Sequence, residues 1–221
     1  MTWIPIDTAS QPERDALLGL KPEVYARLRE ILTLAWQMTD AHLLDLCRLR
    51  LAQLVGARAE TAGADDRLLV DLDGWRASAR FSDRERAALA YAEQYHRDHK
   101  QITVAQQEEI DRHLAPRDLV NFVWALHMND AYLRVLSMLD VEPDPPSSPV
   151  RPERVPPGDM RWRPSPPRPD ASTRGAFVDL DPEFRELYGV LGRSVVKQKL
   201  VDDVTSEAVR LHNANHQGCQ Y

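Results

Sequence analysis

The stretch that decides the fold is Leu43-Leu44-Asp45-Leu46-Cys47-Arg48-Leu49-Arg50-Leu51-Ala52-Gln53-Leu54-Val55-Gly56. Its apolar residues recur every three or four positions, which is typical of one face of an amphipathic helix. Asp40 lies just before the stretch and Gly56 ends it, and these residue types are common at the two ends of a helix. We therefore predict a helix from about Asp40 to Gly56 with one face in a protein core.

The same periodicity continues on both sides of this helix. A proline suited to a first helical turn, capping-box spacing at Ser82 and Glu85, and a capping threonine mark further helix starts. Five further helices are predicted. Two of them have only a predicted start, at Pro22 and at Ser82. The other three run from Asp65 to Leu72, from Thr103 to about Leu114 and from Pro116 to Leu139. No run shows the alternation of a strand, so the predicted class is all-α.

Composition excludes several classes of protein. The chain has 221 residues, 43% of them hydrophobic, and a formal net charge of −6, which argues against a general nucleic-acid or membrane-surface binder. No apolar run reaches the roughly 18–20 residues of a membrane span, and the N-terminus has no signal-peptide pattern. The two cysteines, Cys47 and Cys219, cannot form a disulfide framework, so we expect a reducing, cytoplasmic setting.

Proline is concentrated in one region. Eleven of the 16 prolines lie between Glu142 and Asp170, and such a density excludes a helix interior or a central strand. We predict an extended linker over residues 142–170; the alternative is a docking strip for an aromatic groove, anchored by Trp162 and Arg163. The linker divides the chain into residues 1–141 and residues 171–221.

The second part repeats the beginning of the first. Lys21–Tyr25 is similar to Asp181–Arg185, and five later residues match at a constant offset of 162: Asp45, Arg48, Leu49, Ala52 and Gly56 correspond to Glu207, Arg210, Leu211, Ala214 and Gly218. A duplication explains this better than a chance likeness of two amphipathic helix pairs. Residues 171–221 are thus predicted to be an incomplete second copy. A lone helix pair cannot bury its apolar face, so it must dock on the first domain, pair with another chain or stay loosely ordered.

These residues resemble a known family. Residues 43–56 resemble the helix before the redox motif of the carboxymuconolactone decarboxylase-like proteins, which include the alkylhydroperoxidase D type, and residues 81–93 are similar to a later helix of that family. The resemblance covers residues 15–141 and starts again at about 178. It implies an all-helical fold, a symmetric homo-oligomer, and peroxide reduction by a cysteine pair whose disulfide a dithiol donor reduces again. A decarboxylase branch of the family acts on a lactone.

The first module lacks the family's catalytic residues. Active members carry a glutamate, a Cys-x-x-Cys starting twelve residues later, and a histidine four residues beyond the second cysteine. The resemblance places Asp45, Ala57, Glu60 and Ala64 at these positions. A peroxide is attacked by a thiolate, and a second thiol captures the resulting sulfenic acid. This module therefore cannot run the redox cycle by itself. Asp45, Glu60 and nearby Arg58 either form a different site or are exposed surface charges, and we expect the latter. We expect Cys47 to be a small buried apolar residue.

The second module retains part of the motif. Glu207 and Cys219 stand twelve residues apart and match the family's glutamate and first cysteine, so the resemblance makes them the candidate catalytic residues. A straight helix would hold them about 18 Å apart, so they could meet only if the chain turned at Gly218 and a following helix supplied the histidine. The sequence ends just before the expected second cysteine, which suggests a truncated or frameshifted enzyme. We expect Cys219 to behave as an ordinary terminal thiol.

The histidines do not predict a metal site. His96, His99 and His113 have no evident further ligand and are interpreted as a solvated helix end. His212 and His216 lie one turn apart on one helix face, where surface or packing roles are favoured. His127 is assigned a packing or helix-face role rather than a catalytic one. No cofactor is predicted.

Two main functions remain open. The leading prediction is an alkylhydroperoxidase-related oxidoreductase whose redox site, where it has one, lies in the second module, with activity absent or impaired in this 221-residue chain. The rival is a catalytically silent helical module for oligomerisation or partner binding. The lactone decarboxylase branch is a third possibility, for which no pocket residues can be assigned from the sequence.

Overall fold

The computed structural model describes residues 2–9, 11–142, 180–197 and 202–217, and within these residues it is helical with no strand. The prediction of an all-α fold is confirmed. One 3-10 turn at His99–Gln101 follows the sixth helix. The α-helices are α1 (Glu13–Gly19), α2 (Pro22–Gln37), α3 (Ala41–Val55), α4 (Arg58–Thr61), α5 (Asp66–Asp73), α6 (Asp83–Asp98), α7 (Val104–Asp111), α8 (Pro116–Met138), α9 (Pro182–Lys197) and α10 (Asp203–Gln217).

The helix starts follow from local sequence. The Asp40 side chain accepts hydrogen bonds from the backbone N–H groups of His42 and Leu43, which satisfies donors that have no partner within α3. Ser82 and Glu85 form the predicted capping box at the start of α6, and Thr103 begins α7 in the same way. The sequence therefore located these starts correctly.

Three features differ from the sequence predictions. Helix α7 ends at Asp111, about three residues before the predicted end near Leu114. Helices α1 and α4 were not predicted, and their seven and four residues are too few to show a clear period. Neither has a side-chain N-cap, so both lack the local signals that identify a short helix.

Two apolar cores share α3 and α8. The first core lies among α3, α5, α6, α7 and α8 and is centred on fully buried residues such as Leu51, Leu89 and Phe122. The second core lies among α1, α2, α3, α8 and α9 and includes Ile31, Leu44 and Phe184. Helices α3 and α8 thus hold the domain together, since each contributes side chains to both cores.

The two helices of the second part have opposite environments. Helix α9 packs along α2, and Leu180 and Phe184 lie in the second core with 1% and 0% of their surface exposed. Of the three possibilities predicted for the second part, α9 therefore docks on the first domain. In α10, every residue from Val204 to His212 whose exposure the structure describes is exposed. The predicted linker, apart from Glu142, lies outside the described residues, as do Trp162 and Arg163.

Candidate functional site

The residues that the resemblance aligns with the redox motif, from Ala57 to Glu60, lie at the turn from α3 to α4. Gly56 adopts a left-handed conformation with φ of 71°, which an amino acid with a side chain adopts only at a cost. Its turn directs α4 back along α3. As a result Arg48 Nη1 lies 2.6 Å from Glu60 Oε2 and also donates to the Glu60 carbonyl at 3.2 Å. Both side chains are buried, with 5% and 2% exposed.

A second carboxylate completes this ion cluster. Arg48 donates to Asp45 Oδ1 through Nε at 3.0 Å and Nη2 at 2.7 Å, and its guanidinium lies 6.0 Å from the centre of the Trp36 ring. Asp45 itself is half exposed. Arg48 therefore bridges the two acidic residues that stand, by resemblance, at the glutamate and second-cysteine positions.

This arrangement corrects one sequence prediction. Glu60 was expected to be an exposed charge, and it is buried because the turn at Gly56 folds α4 against α3. Arg58 is exposed as expected and donates to Glu142 Oε1 at 2.9 Å, away from the Arg48 cluster. Sequence reasoning missed the burial of Glu60 because its arginine partner stands twelve residues earlier and no local pattern links them.

The cluster offers charge but no nucleophile. Ala57, at the first-cysteine position, is buried with a methyl side chain. Cys47 is the one cysteine among the described residues, and it is fully buried on the apolar face of α3, as predicted. Burial, reinforced by the negative charge of Asp45, raises the pKa of the Cys47 thiol far above its usual range. Its thiolate is therefore not populated at neutral pH.

The candidate residues of the second copy are only partly described. Glu207 is exposed and accepts a hydrogen bond from Arg210 Nε at 2.8 Å; this bond lowers the pKa of Glu207. His212 is exposed. Cys219 and Gly218 lie outside the described residues, as does the side chain of His216, so the predicted pairing of Glu207 with Cys219 stays a prediction.

Two further polar clusters were not predicted from the sequence. The first surrounds Glu93, which accepts hydrogen bonds from Arg50 Nε at 2.6 Å, Trp75 Nε1 at 3.0 Å and Arg76 Nη2 at 2.6 Å. Burial alone would raise the pKa of Glu93, but these hydrogen bonds outweigh burial and lower its pKa to about 2. The buried carboxylate joins α3, α6 and the segment after α5, which is a structural role.

The second cluster pairs α6 with α8. Tyr95 Oη lies 2.9 Å from His127 Nδ1. Burial lowers the pKa of His127 against the opposing charge of Asp130, while burial and Asp130 raise the pKa of Tyr95 to about 12. At neutral pH a neutral tyrosine therefore donates to a neutral imidazole. The rings of Trp124 and Tyr188 pack against His127, so His127 has the predicted packing role. It also forms the hydrogen bond with Tyr95.

The next residue of α6, His96, is paired with the following turn of α8. His96 Nδ1 lies 2.5 Å from Asp130 Oδ1, and Arg134 Nε donates to Asp130 Oδ2 at 2.9 Å. Burial raises the pKa of Asp130, but the hydrogen bonds from His96 and Arg134 lower it overall. The prediction of a solvated helix end was wrong for His96, because α8 lies alongside that end of α6.

The other histidines of this region do not join the cluster into a metal site. His99 lies beside the Tyr95 ring, at 6.2 Å between centroids, and His113 Nε2 lies 3.3 Å from Glu109 Oε1. Across the described residues, no group of three or more His, Cys, Asp and Glu side chains is arranged to hold a metal ion. The polar clusters are closed ion pairs and hydrogen bonds that tie helices together.

None of the described helices combines the length and the apolarity needed to cross a bilayer.

Comparison with known protein families and curated proteins identifies no relative of this chain. No model of a known protein family matches the chain, and no curated protein matches it significantly.

Proposed function

We propose that this chain is a carboxymuconolactone decarboxylase-like protein, related to the thiol-dependent alkylhydroperoxidases, in which residues 1–141 form a structural module without redox activity. Thiol chemistry then depends on Cys219 of the second copy, with a dithiol as electron donor, and it is absent or impaired in this chain. The observation that carries the proposal is the buried Arg48–Glu60 ion pair at the position of the redox motif.

The chemistry of that position supports a structural role. Peroxide reduction needs an accessible thiolate and a second thiol to resolve its sulfenic acid. Glu60 offers a carboxylate whose oxygen is already bonded to Arg48, and Ala57 offers a methyl group. Cys47 is fully buried, and its raised pKa disfavours the thiolate. The first module thus has the methyl group of Ala57 and the Arg48-bonded carboxylate of Glu60 where a redox-active family member would need two thiols.

A thiol assay on the full chain tests this proposal. We expect one thiol per folded chain to react with an aromatic disulfide reagent, and Cys219→Ser to remove that reaction. Cys47→Ala is the matched control and should leave it unchanged, whereas denaturation should expose the second thiol. Peroxide consumption with a dithiol donor should stay near background in all three proteins. Rapid turnover that survives Cys219→Ser would contradict the proposal.

The exposed surface of α10 favours the rival function, a silent module for oligomerisation or partner binding. Val204, Val209 and Leu211 are 80%, 55% and 45% exposed, and a 15-residue helix without packing is marginal in water. If the rival holds, peroxide produces no disulfide and Val209→Asp abolishes self-association in light scattering. A well-folded monomer of the unmutated chain at micromolar concentration would count against oligomerisation.

A further inference from the structure

Helix α9 forms part of the environment of His127. The Tyr188 ring of α9 lies 6.3 Å from the His127 ring and 5.0 Å from the Trp124 ring, measured between centroids. One turn earlier, Phe184 is fully buried, and its ring lies 6.4 Å from that of Trp124. These rings join α9 to α8, so undocking of α9 opens one side of the imidazole to water.

The other neighbours of His127 belong to the first domain. From α6, the Tyr95 hydroxyl oxygen lies 2.9 Å from His127 Nδ1, and the His99 ring lies 6.2 Å from that of Tyr95. From α8 itself, the negative charge of Asp130 acts on the imidazole. The charged side chains of α2 and of residues 182–193 are exposed. Tyr188 is therefore the titratable group that this part of α9 places against His127.

A second proton on His127 is unfavourable while α9 is docked. The pKa of Tyr95 is raised to about 12, so its hydroxyl keeps its hydrogen and donates it to Nδ1, the atom that the proton would occupy. Burial lowers the pKa of His127. The Asp130 carboxylate opposes this only in part, because it is already hydrogen-bonded to His96 and Arg134. Undocking of α9 removes part of the burial, so the pKa of His127 returns toward its ordinary value of about 6.5.

We infer that α9 is an acid-released strap: protonation of the His127 imidazole weakens the docking of α9 on α2 and α8. Because docked α9 disfavours the proton, the proton disfavours docking by the same factor. Docking is at full strength well above a pH of about 6.5 and weakens as the pH falls below that value. The surface formed by α2 and α8 is thus covered at neutral pH and exposed in acid. The inference is independent of the proposed thiol chemistry, since it involves no cysteine.

Hydrogen exchange of the full chain, measured by mass spectrometry between about pH 8 and pH 5, tests the inference. A 16-residue helix without packing is marginal in water, so the protection factor of the amides in residues 182–197 reports docking. It should fall in acid by about tenfold for each unit between the docked and released pKa values of His127. The protection factors of α6 should stay constant, because α6 lies in the first core. Equal protection of α9 at both ends of the pH range overturns the inference.

Substitution of the histidine identifies the group that titrates. His127→Asn keeps an acceptor for the Tyr95 hydroxyl but takes up no proton, so α9 should be equally protected at both pH values. His127→Gln replaces it if circular dichroism shows that the first variant does not fold. His42→Gln is the matched control, because His42 is largely exposed beside the first turn of α6, and it should keep the full pH dependence. Dependence that survives in His127→Asn, or that His96→Asn removes instead, overturns the inference.

A titration of the His127 ring by NMR tests the reverse direction of the coupling without changing this residue. Leu180→Ala/Phe184→Ala removes two fully buried side chains from the α9 contact and adds no charge. Exchange should show that α9 is released in this variant, and the pKa of His127 should rise toward about 6.5. The difference from the unmutated chain should account for the loss of protection in acid. An unchanged pKa of His127 with α9 released overturns the inference.

Discussion

Helices α3 and α10 have equal lengths and related sequences, yet they occupy opposite environments. Leu49 of α3 is 3% exposed and its counterpart Leu211 is 45% exposed. Arg48 pairs with Asp45 three residues before it, and Arg210 pairs with Glu207 in the same way. In α3 that arginine also reaches a buried glutamate on the next helix, whereas in α10 it lies in solvent. The same local pattern thus serves as a core element in one copy and as an exposed surface in the other.

The largest effect is expected at the shared arginine. Arg48→Ala removes the cation that pairs with the buried Glu60 carboxylate, and loss of one partner of a buried pair costs about 3–5 kcal/mol of unfolding free energy. Arg210→Ala is the matched control and should leave the urea-unfolding midpoint unchanged, because its ion pair is exposed. Equal effects of the two substitutions would mean that Arg48 and Glu60 are not buried together.

The shared leucine gives the next effect. Leu49→Ala opens a cavity in the first core and should lower the unfolding free energy by about 3 kcal/mol. Leu211→Ala should change it by less than about 0.5 kcal/mol, because the side chain is already largely in water. Urea unfolding followed by circular dichroism measures both. A loss at Leu211 as large as that at Leu49 would show that α10 is packed in solution.

A smaller effect concerns acid stability. The pKa of Glu93 is lowered to about 2 in the folded chain, so its carboxylate stabilises the fold above the unfolded pKa of about 4.3 and loses this contribution as the pH falls toward 2. The contribution is about 2 kcal/mol, less than the full shift implies because Arg76 is exposed.

The control for acid stability is the exposed carboxylate of α10. Glu93→Gln should flatten the dependence of unfolding free energy on pH between about 4.5 and 2, whereas Glu207→Gln should change that dependence much less, because its ion pair with Arg210 lies in solvent. Urea unfolding at a series of pH values supplies the measurement. An unchanged slope in Glu93→Gln would contradict the three hydrogen bonds assigned to this carboxylate.

The sequence predicted the long helices because their signals are local. Ser82 and Glu85 lie within one turn of each other, and Gly56 follows directly on the helix that it ends, so composition and spacing located these features. The four-residue α4 has no such signal. Its position decides whether Glu60 is buried, and the prediction for Glu60 failed for this reason.

The polar clusters show the same limit. His96 and Asp130 stand 34 residues apart, and they meet only because α6 and α8 pack together at that level. Asp130 and Arg134 share a helix face, which a helical period would reveal, but the period does not indicate which neighbour that face meets. The resemblance to the alkylhydroperoxidase family likewise singles out the positions of Asp45 and Glu60 but does not predict that Arg48 joins them.

The sequence by itself determined the all-helical class, the starts of the capped helices and the similarity of residues 181–218 to residues 21–56. These depend on residues within a turn or two of each other, or on a direct comparison of the chain with itself. Only the tertiary structure decided that α9 docks on α2 while the described side chains of α10 are exposed, and that Glu60 and His96 are paired. Burial depends on helices that are distant in sequence, and an apolar stripe is the same whether or not another helix covers it.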